Sequence, residues 1–406
     1  MVIKRTPPRY PRRGPSCLLV LFVLFGIVVA IFVIQNADEV RDIIIPTPTP
    51  EPTRSAAEYA LLADLSEKDG QVEEAIGFYQ TAVELDASKP EFFVRLIRLL
   101  IEAGQPEEAL SRAEQLVLLA PEETETWEVK AAAHIANGNR FDDLGDTTSA
   151  ALEYASAADA ARDAINLDSN NATAYAYAAG GSVFQENPEL FDQAQEYADT
   201  AIFLEPDNAI ARYYMATVFT YQGLYSAALE QYQLGLDADP QMPELHIGLA
   251  YNYFGNGQLA DAILSFKDAI EVDPDNATAY DGLAYMYLQL GDDPLAEENA
   301  LESVRLNPNV ARARGRLGEA YFRQNNYEKA VEQLKVATEL YGQPTELNVR
   351  FFNMLATAYI RASFSNCEIA TPIFQQVIDV TFNELIIDSA LEGIEECRRN
   401  SLGTTP

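Results

Sequence analysis

Histidine and cysteine are nearly missing from this chain: two His and three Cys in 406 residues. A zinc site or a His-based catalytic relay is therefore badly under-supplied. Basic residues are scarce too, with 28 Lys and Arg against 62 Asp and Glu, a net charge of −34. Nucleic acid is excluded as an expected partner, because phosphate binding needs a Lys/Arg surface that this balance does not supply. No Walker-type phosphate loop and no dinucleotide fingerprint occurs, so no cofactor is expected. Apolar residues make up 48% of the chain, which fits a folded protein rather than a disordered one.

The few chemically suggestive residues have plainer readings. His134 and His246 fall at helix positions that face other helices, where packing accounts for them. Acidic pairs such as Asp142-Asp143, Asp292-Asp293 and Glu297-Glu298 read as solvated faces and caps in so acidic a chain. The segment 139–146, NRFDDLGD, offers oxygens to Ca²⁺, yet it lacks the alternate spacing and terminal bidentate Glu of a calcium loop. Two sequons, at Asn171 and Asn276, read as helix caps. We expect no enzyme, no metal and no cofactor.

The cations that exist are unevenly placed. Residues 1–34 hold Lys4, Arg5, Arg9, Arg12 and Arg13 and no acid, leaving −39 on the remainder. Directly after this tail (1–16) comes CLLVLFVLFGIVVAIFVI, residues 17–34, with no charge and no proline. As a helix it is roughly 27 Å long, near the ~30 Å hydrocarbon core of a bilayer. The exit at 34–37, IQNA, lacks the small-x-small pattern of a signal-peptidase site, which favours an uncleaved transmembrane anchor over a cleaved signal. Positive charge before the span places the N-terminus in the cytoplasm and the bulk of the chain outside it. Secretion after cleavage is the alternative. Residues 35–55 include PTPTPEP at 46–52, a semi-rigid extended spacer.

From residue 56 onward the chain repeats. Pro206, Pro240, Pro274 and Pro308 stand 34 residues apart, within recurring text such as LEPDN, VDPDNATAY and LNPN. A fixed period of this length signals a solenoid. Units set at 56, 90, 124, 172, 209, 243, 277, 311 and 349 put alanine at the twentieth position of all nine, from Ala75 to Ala370. The eighth position is Ala63, Ile97, Ala131, Ala179, Ala216, Ala250, Ala284, Gly318 and Ala356. Small side chains at these two places let two antiparallel helices approach closely. Tyr253, Tyr287, Tyr321 and Tyr359, with Tyr79, Tyr232, Phe266 and Phe374, fill the layer between units. Unit three carries about fourteen extra residues around 137–150. Residues 383–400 read as an amphipathic capping helix, which an open-ended solenoid needs.

This pattern resembles the tetratricopeptide repeat family over about residues 56–380, most strongly over 209–344. The resemblance implies an all-α fold, a right-handed superhelix of helix pairs with a concave groove that binds proteins or peptides. In such members, positions 2, 5, 9 and 12 of each first helix line the groove. Here that stripe supplies Tyr213, Tyr251, Phe254, Tyr285 and Phe322, with Arg312, Arg323, Arg350 and Arg361 at or beside it in the last two units. Aromatic faces give contact area at small entropic cost, and arginine forks match carboxylates. An extended peptide with an acidic group at the arginine end is the expected ligand. The plainer alternative is that the arginines pair with neighbouring acids such as Glu319 and the aromatics pack between units. The family's carboxylate-clamp set of Lys and Asn is not reproduced.

Cys367 opens the second helix of unit nine, and Cys397 lies near the end of the capping helix. Each is about fifteen residues from a turn near Thr381–Phe382, so equal arms of an antiparallel hairpin bring them side by side. In an oxidising compartment they would bond; otherwise they are two small buried side chains. The role expected for the whole is a membrane-tethered, non-catalytic scaffold for a protein or peptide segment. An accessory subunit of an envelope-polymer or secretion assembly is the alternative, and a structural spacer the third.

Overall fold

The computed structural model describes residues 17–35, 54–363 and 366–401. The basic tail and the proline-rich stretch 36–53 lie outside the described residues. Two units are distinguished, residues 1–55 and 56–406.

In the first unit the apolar run forms helix α1 (Cys17–Gln35). Among the described residues no helix is long and apolar enough to cross a membrane. In α1 side chains are described only over 20–32, about 20 Å of helix, and that stretch is exposed throughout. The transmembrane span expected over 17–34 is thus present as helical backbone, and the structure does not show it as a span.

The second unit is a solenoid of helical hairpins. Its pairs are α2 (Ala56–Lys68) with α3 (Val72–Leu85), α4 (Pro90–Glu102) with α5 (Pro106–Leu119), and α6 (Thr124–Asp143) with α7 (Thr147–Leu167). They continue as α8 (Ala172–Val183) with α9 (Phe191–Leu204), α10 (Ala209–Tyr221) with α11 (Tyr225–Ala238), and α12 (Pro243–Gly255) with α13 (Leu259–Val272). The last are α14 (Ala277–Leu290) with α15 (Asp293–Leu306), α16 (Ala311–Arg323) with α17 (Tyr327–Tyr341), and α18 (Val349–Ala362) with α19 (Cys367–Val380), closed by α20 (Glu384–Ser401). Each helix packs on the next in sequence. First helices of most neighbouring units also touch one another, whereas second helices share no comparable interface, so the first helices line the inside of the curve.

Three sequence rules recur among the units. Alanines at the eighth and twentieth positions are completely buried. At Gly318 the space of a Cβ is already taken by Leu334, whose Cγ lies 2.5 Å from that point. The fifteenth position ends the first helix in the left-handed region: Gly70, Gly104, Gly223, Gly257 and Gly291, with Glu186 and Asn325 doing the same at φ 50° and 59°. A left-handed residue there turns the chain and satisfies the last helical carbonyls. Unit nine departs, with Ser363 extended at φ −164°. Three first helices are capped by side chains: Asn171, Asn208 and Asn276 accept from the amides of Ala174, Ala211 and Ala279 at 2.9–3.0 Å, whereas the starts at Pro90, Thr124, Pro243, Ala311 and Val349 have no such bond. Both sequons are therefore cap sites.

The turn residue is not among the sequence expectations, and neither is a fourth rule. The fourth residue of several first helices reaches back to the carbonyl of the proline six residues earlier. Trp127 Nε1 donates to Pro121 at 2.9 Å, Arg212 Nε to Pro206 at 3.2 Å, and Arg314 Nε to Pro308 at 3.1 Å. His246 Nε2 makes the same contact with Pro240 at 3.3 Å. Its role is thus to tie two units together. His134 Nδ1 meets Glu153 at 2.7 Å across the unit-three hairpin.

The unit-three insertion is not a loop. It lengthens both helices, α6 to 20 residues and α7 to 21, where other solenoid helices before α20 have 12–15. At the far end, Cys367 and Cys397 are joined by a disulfide, with Cα atoms 5.5 Å apart and 30 positions between them. Loop-closure entropy for that span is worth about 3–4 kcal/mol. Reduction should accordingly lower the melting temperature and free α20 first. Intact mass with and without reductant, followed by hydrogen exchange over α20, checks this; alkylation of Cys367 and Cys397, besides Cys17, in the unreduced native protein would refute it.

Candidate peptide-binding groove

The residues expected on the stripe lie on the first helices, as position alone requires, but they are not equally free. Phe254 of α12 meets Tyr285 of α14 edge-on, with ring centroids 5.4 Å apart. Arg316 lies over the Tyr285 ring at 4.4 Å and Arg350 near it at 5.9 Å. Phe254, Tyr285 and Arg350, from units six, seven and nine, form one half-buried aromatic and cationic surface, with Arg316 of unit eight buried beneath it. Tyr251 packs edge-on against buried Phe266 at 5.1 Å, and Tyr213 packs on Tyr214 and Tyr232. Phe322 meets Tyr327 of its own hairpin, away from the Tyr285 cluster.

Every one of the four arginines has a carboxylate partner. Arg312 is the most committed, its Nε 2.7 Å from Asp281 and its second guanidinium nitrogen 2.9 Å from Asp143. Arg323 donates to the Leu288 carbonyl at 2.5 Å and lies 3.3 Å from Asp293 and 3.6 Å from Glu319. Arg361 pairs with Glu396 of the capping helix at 3.2 Å. Arg350 is the loosest, 4.0 Å from Glu319 and stacked over Phe351 at 4.5 Å. An acidic ligand must therefore share or displace a resident carboxylate, and Arg350 is where that costs least.

Sequence reasoning missed the centre of this network. Asp281 and Arg316 are buried, with Arg316 Nη1 2.5 Å from Asp281 Oδ2 and 2.9 Å from its carbonyl. Burial pushes the Asp281 pKa up, but Arg316 and Arg312 outweigh it and hold the carboxyl below the ordinary range. Asp143 behaves oppositely: burial raises it more than Arg312 lowers it. Asp281 stands at the fifth position of its unit, so its charge on the stripe was a readable signal. Nothing local to Asp143 marked its partner.

Around the inner face other acids are raised chiefly by burial, among them Glu102, Glu128 and Glu244. Glu102, Glu244 and Asp273, from units two and six, lie near enough to repel one another. Within 139–146, Asp142 accepts from the Tyr154 hydroxyl at 2.6 Å and Asp143 holds Arg312, so these carboxylates are engaged. Among the described residues no group of His, Cys, Asp and Glu could hold a metal.

The geometry defines a helical-hairpin solenoid with a polar, aromatic inner face. The repeats themselves are tetratricopeptide repeats: family profiles of that description match residues 67–133, 189–243 and 294–343, and a TPR repeat profile matches 250–291. No curated protein matches the sequence. Among solved structures, a human IFIT1 dimer with PPP-AAAA is similar at 17% identity, covering 86% of this chain and 92% of that one, with a TM-score of 0.59. Yeast Tom70 is similar at 14% identity over 86% and 89% of the two chains, with a TM-score of 0.41. The IFIT1 likeness, at this identity, speaks to the fold alone.

Proposed function

We propose that this chain is a non-catalytic scaffold, tethered to a membrane through residues 17–34, that holds an extended protein segment along the inner face of units five to nine. The observation that carries the groove reading is the Phe254–Tyr285–Arg350 surface, which stays partly open and is backed by buried Arg316 stacked on Tyr285. Rigid aromatic faces beside a loosely paired arginine suit a peptide backbone with an acidic side chain. The tether reading rests on the uncharged run and the exposed apolar surface of α1, which water would not tolerate uncovered. An extracytoplasmic location follows from the basic tail, and a disulfide is at home in that compartment. The similar human IFIT1 structure was solved with PPP-AAAA; here the −34 charge and the acids on the inner face oppose a phosphate ligand.

Photo-crosslinking in intact membranes tests the groove. A photoreactive residue replacing Tyr251 or Tyr285 should yield a protein adduct, and one replacing Lys267, exposed on second helix α13, should not. Adducts from Lys267 alone would place the partner on the outer layer, and absence of adducts at all three would remove the scaffold reading.

A further inference from the structure

The turn glycines of the repeats form an internal comparison. Gly70, Gly104, Gly223, Gly257 and Gly291 share φ between 67° and 81°, and nothing lies within 4 Å of where a Cβ would sit. Gly145, at the same turn of unit three with φ 75°, is covered: Tyr341 ring carbons lie 2.5 and 2.7 Å from its Cβ position. Tyr341 ends the second helix of unit eight, 196 residues onward. Two residues before Gly145, Asp143 accepts from Arg312, 169 positions away, at 2.9 Å. The Asn348 side chain lies 3.9 Å from the same Cβ position. Thus the longest hairpin of the solenoid sets its tip on unit eight and on the loop leading to unit nine.

We propose that the elongated unit-three hairpin is a clasp, which fastens one stretch of the superhelix to another through Asp143–Arg312 and Gly145–Tyr341 and so encloses the inner face of the units between. Its length supports this. Each arm is extended by about seven residues, roughly 10 Å of helix, which an ordinary repeat turn lacks. The contacts also answer a physical need, since a solenoid is otherwise held only by nearest neighbours and its curvature is soft. Arg312 keeps Asp281 as a partner when Asp143 leaves, so the clasp can open without stranding a half-buried cation. Opening would widen access to the groove, and closing would restrict it.

The clasp is testable without knowing any ligand. In the full chain in detergent, amide exchange at Gly145 and Asp146 should be at least about tenfold slower than at the Gly104 and Gly257 turns, whose amides make the same kind of turn hydrogen bond. Asp143→Ala should speed exchange at that tip and at 341–348 and the start of α16 together. Gly145→Val should do likewise, while Gly104→Val, with the same backbone strain and no ring to meet, should affect only its own turn. Equal exchange at all these turns in the unmodified protein would overturn the proposal. So would Asp143→Ala effects confined to α6 and α7. The exchange comparison stands even where Gly145→Val fails to fold.

Discussion

Gly181→Val should unfold the centre of the solenoid. Gly181 lies in α8, and a Cβ there would sit 2.5 Å from the Ala158 backbone nitrogen and 2.7 Å from the Tyr154 carbonyl oxygen of α7. Those are main-chain atoms of a packed helix, so no rotamer change relieves the clash. Separating the helices would also disrupt Tyr154, whose hydroxyl holds Asn139 and Asp142 at 2.8 and 2.6 Å. A cost above about 3 kcal/mol is expected, at the upper end for overpacking. Because each repeat depends on its neighbours, the loss should spread beyond unit four. Gly77→Ala is the control. It replaces a mid-helix glycine of α3 with nothing within 4 Å, and should stabilise by about 0.5–1 kcal/mol. Far-UV circular dichroism melts would separate the two, and a Gly181→Val protein melting with the wild type would contradict this account of close packing.

Asp281→Ala should cost about 3–5 kcal/mol, because it removes the anion from between two guanidinium groups and leaves Arg316, only 6% exposed, without its ion-pair partner. Asp281→Asn, which keeps the shape and loses the charge, should fall between. The pH profile gives an independent reading. With its folded pKa held below the ordinary value of about 3.9, Asp281 contributes stability that is complete above that value and lost as pH falls through the folded pKa. Asp142, Asp143, Glu102, Glu128 and Glu244 have raised pKa values, chiefly through burial, so they carry the opposite sign. Their contribution is greatest at low pH and is lost as pH rises through their folded pKa values. The wild type should therefore gain stability as pH falls from 7 through the raised folded pKa values of these carboxylates, and lose the Asp281 contribution once pH falls below the ordinary carboxylate range. Asp281→Ala should keep the first trend and lose part of the second. A variant with wild-type stability at every pH would show that the buried network holds nothing together.

Much of the fold could be read because its rules are local. A 34-residue period, alanine at two fixed places, glycine at the turn and asparagine at the start are each satisfied within a single hairpin or at its junction with the next. Glu186 and Asn325 show how strong the turn requirement is, since they adopt the same left-handed geometry without being glycine. The disulfide was legible for a similar reason: two arms of one hairpin have lengths that can be counted. The groove was legible only in outline. Helical spacing placed Tyr251, Phe254, Tyr285 and the arginines on one stripe, but which cations stay loosely paired depended on acids supplied by other units. Asp281 reaches Arg312 and Arg316 from the preceding repeat, and Glu319 lies between Arg323 and Arg350.

By itself, then, the sequence determined the helices, their pairing and the face each turns to its neighbours, because these depend on residues fewer than about forty positions apart. Only the tertiary structure decided that Asp143 meets Arg312 and Gly145 meets Tyr341. Contacts across 169 and 196 residues depend on the small rotation and rise added at every repeat. Those increments come from how whole helix faces settle against each other, and five units must be summed before unit three finds unit eight.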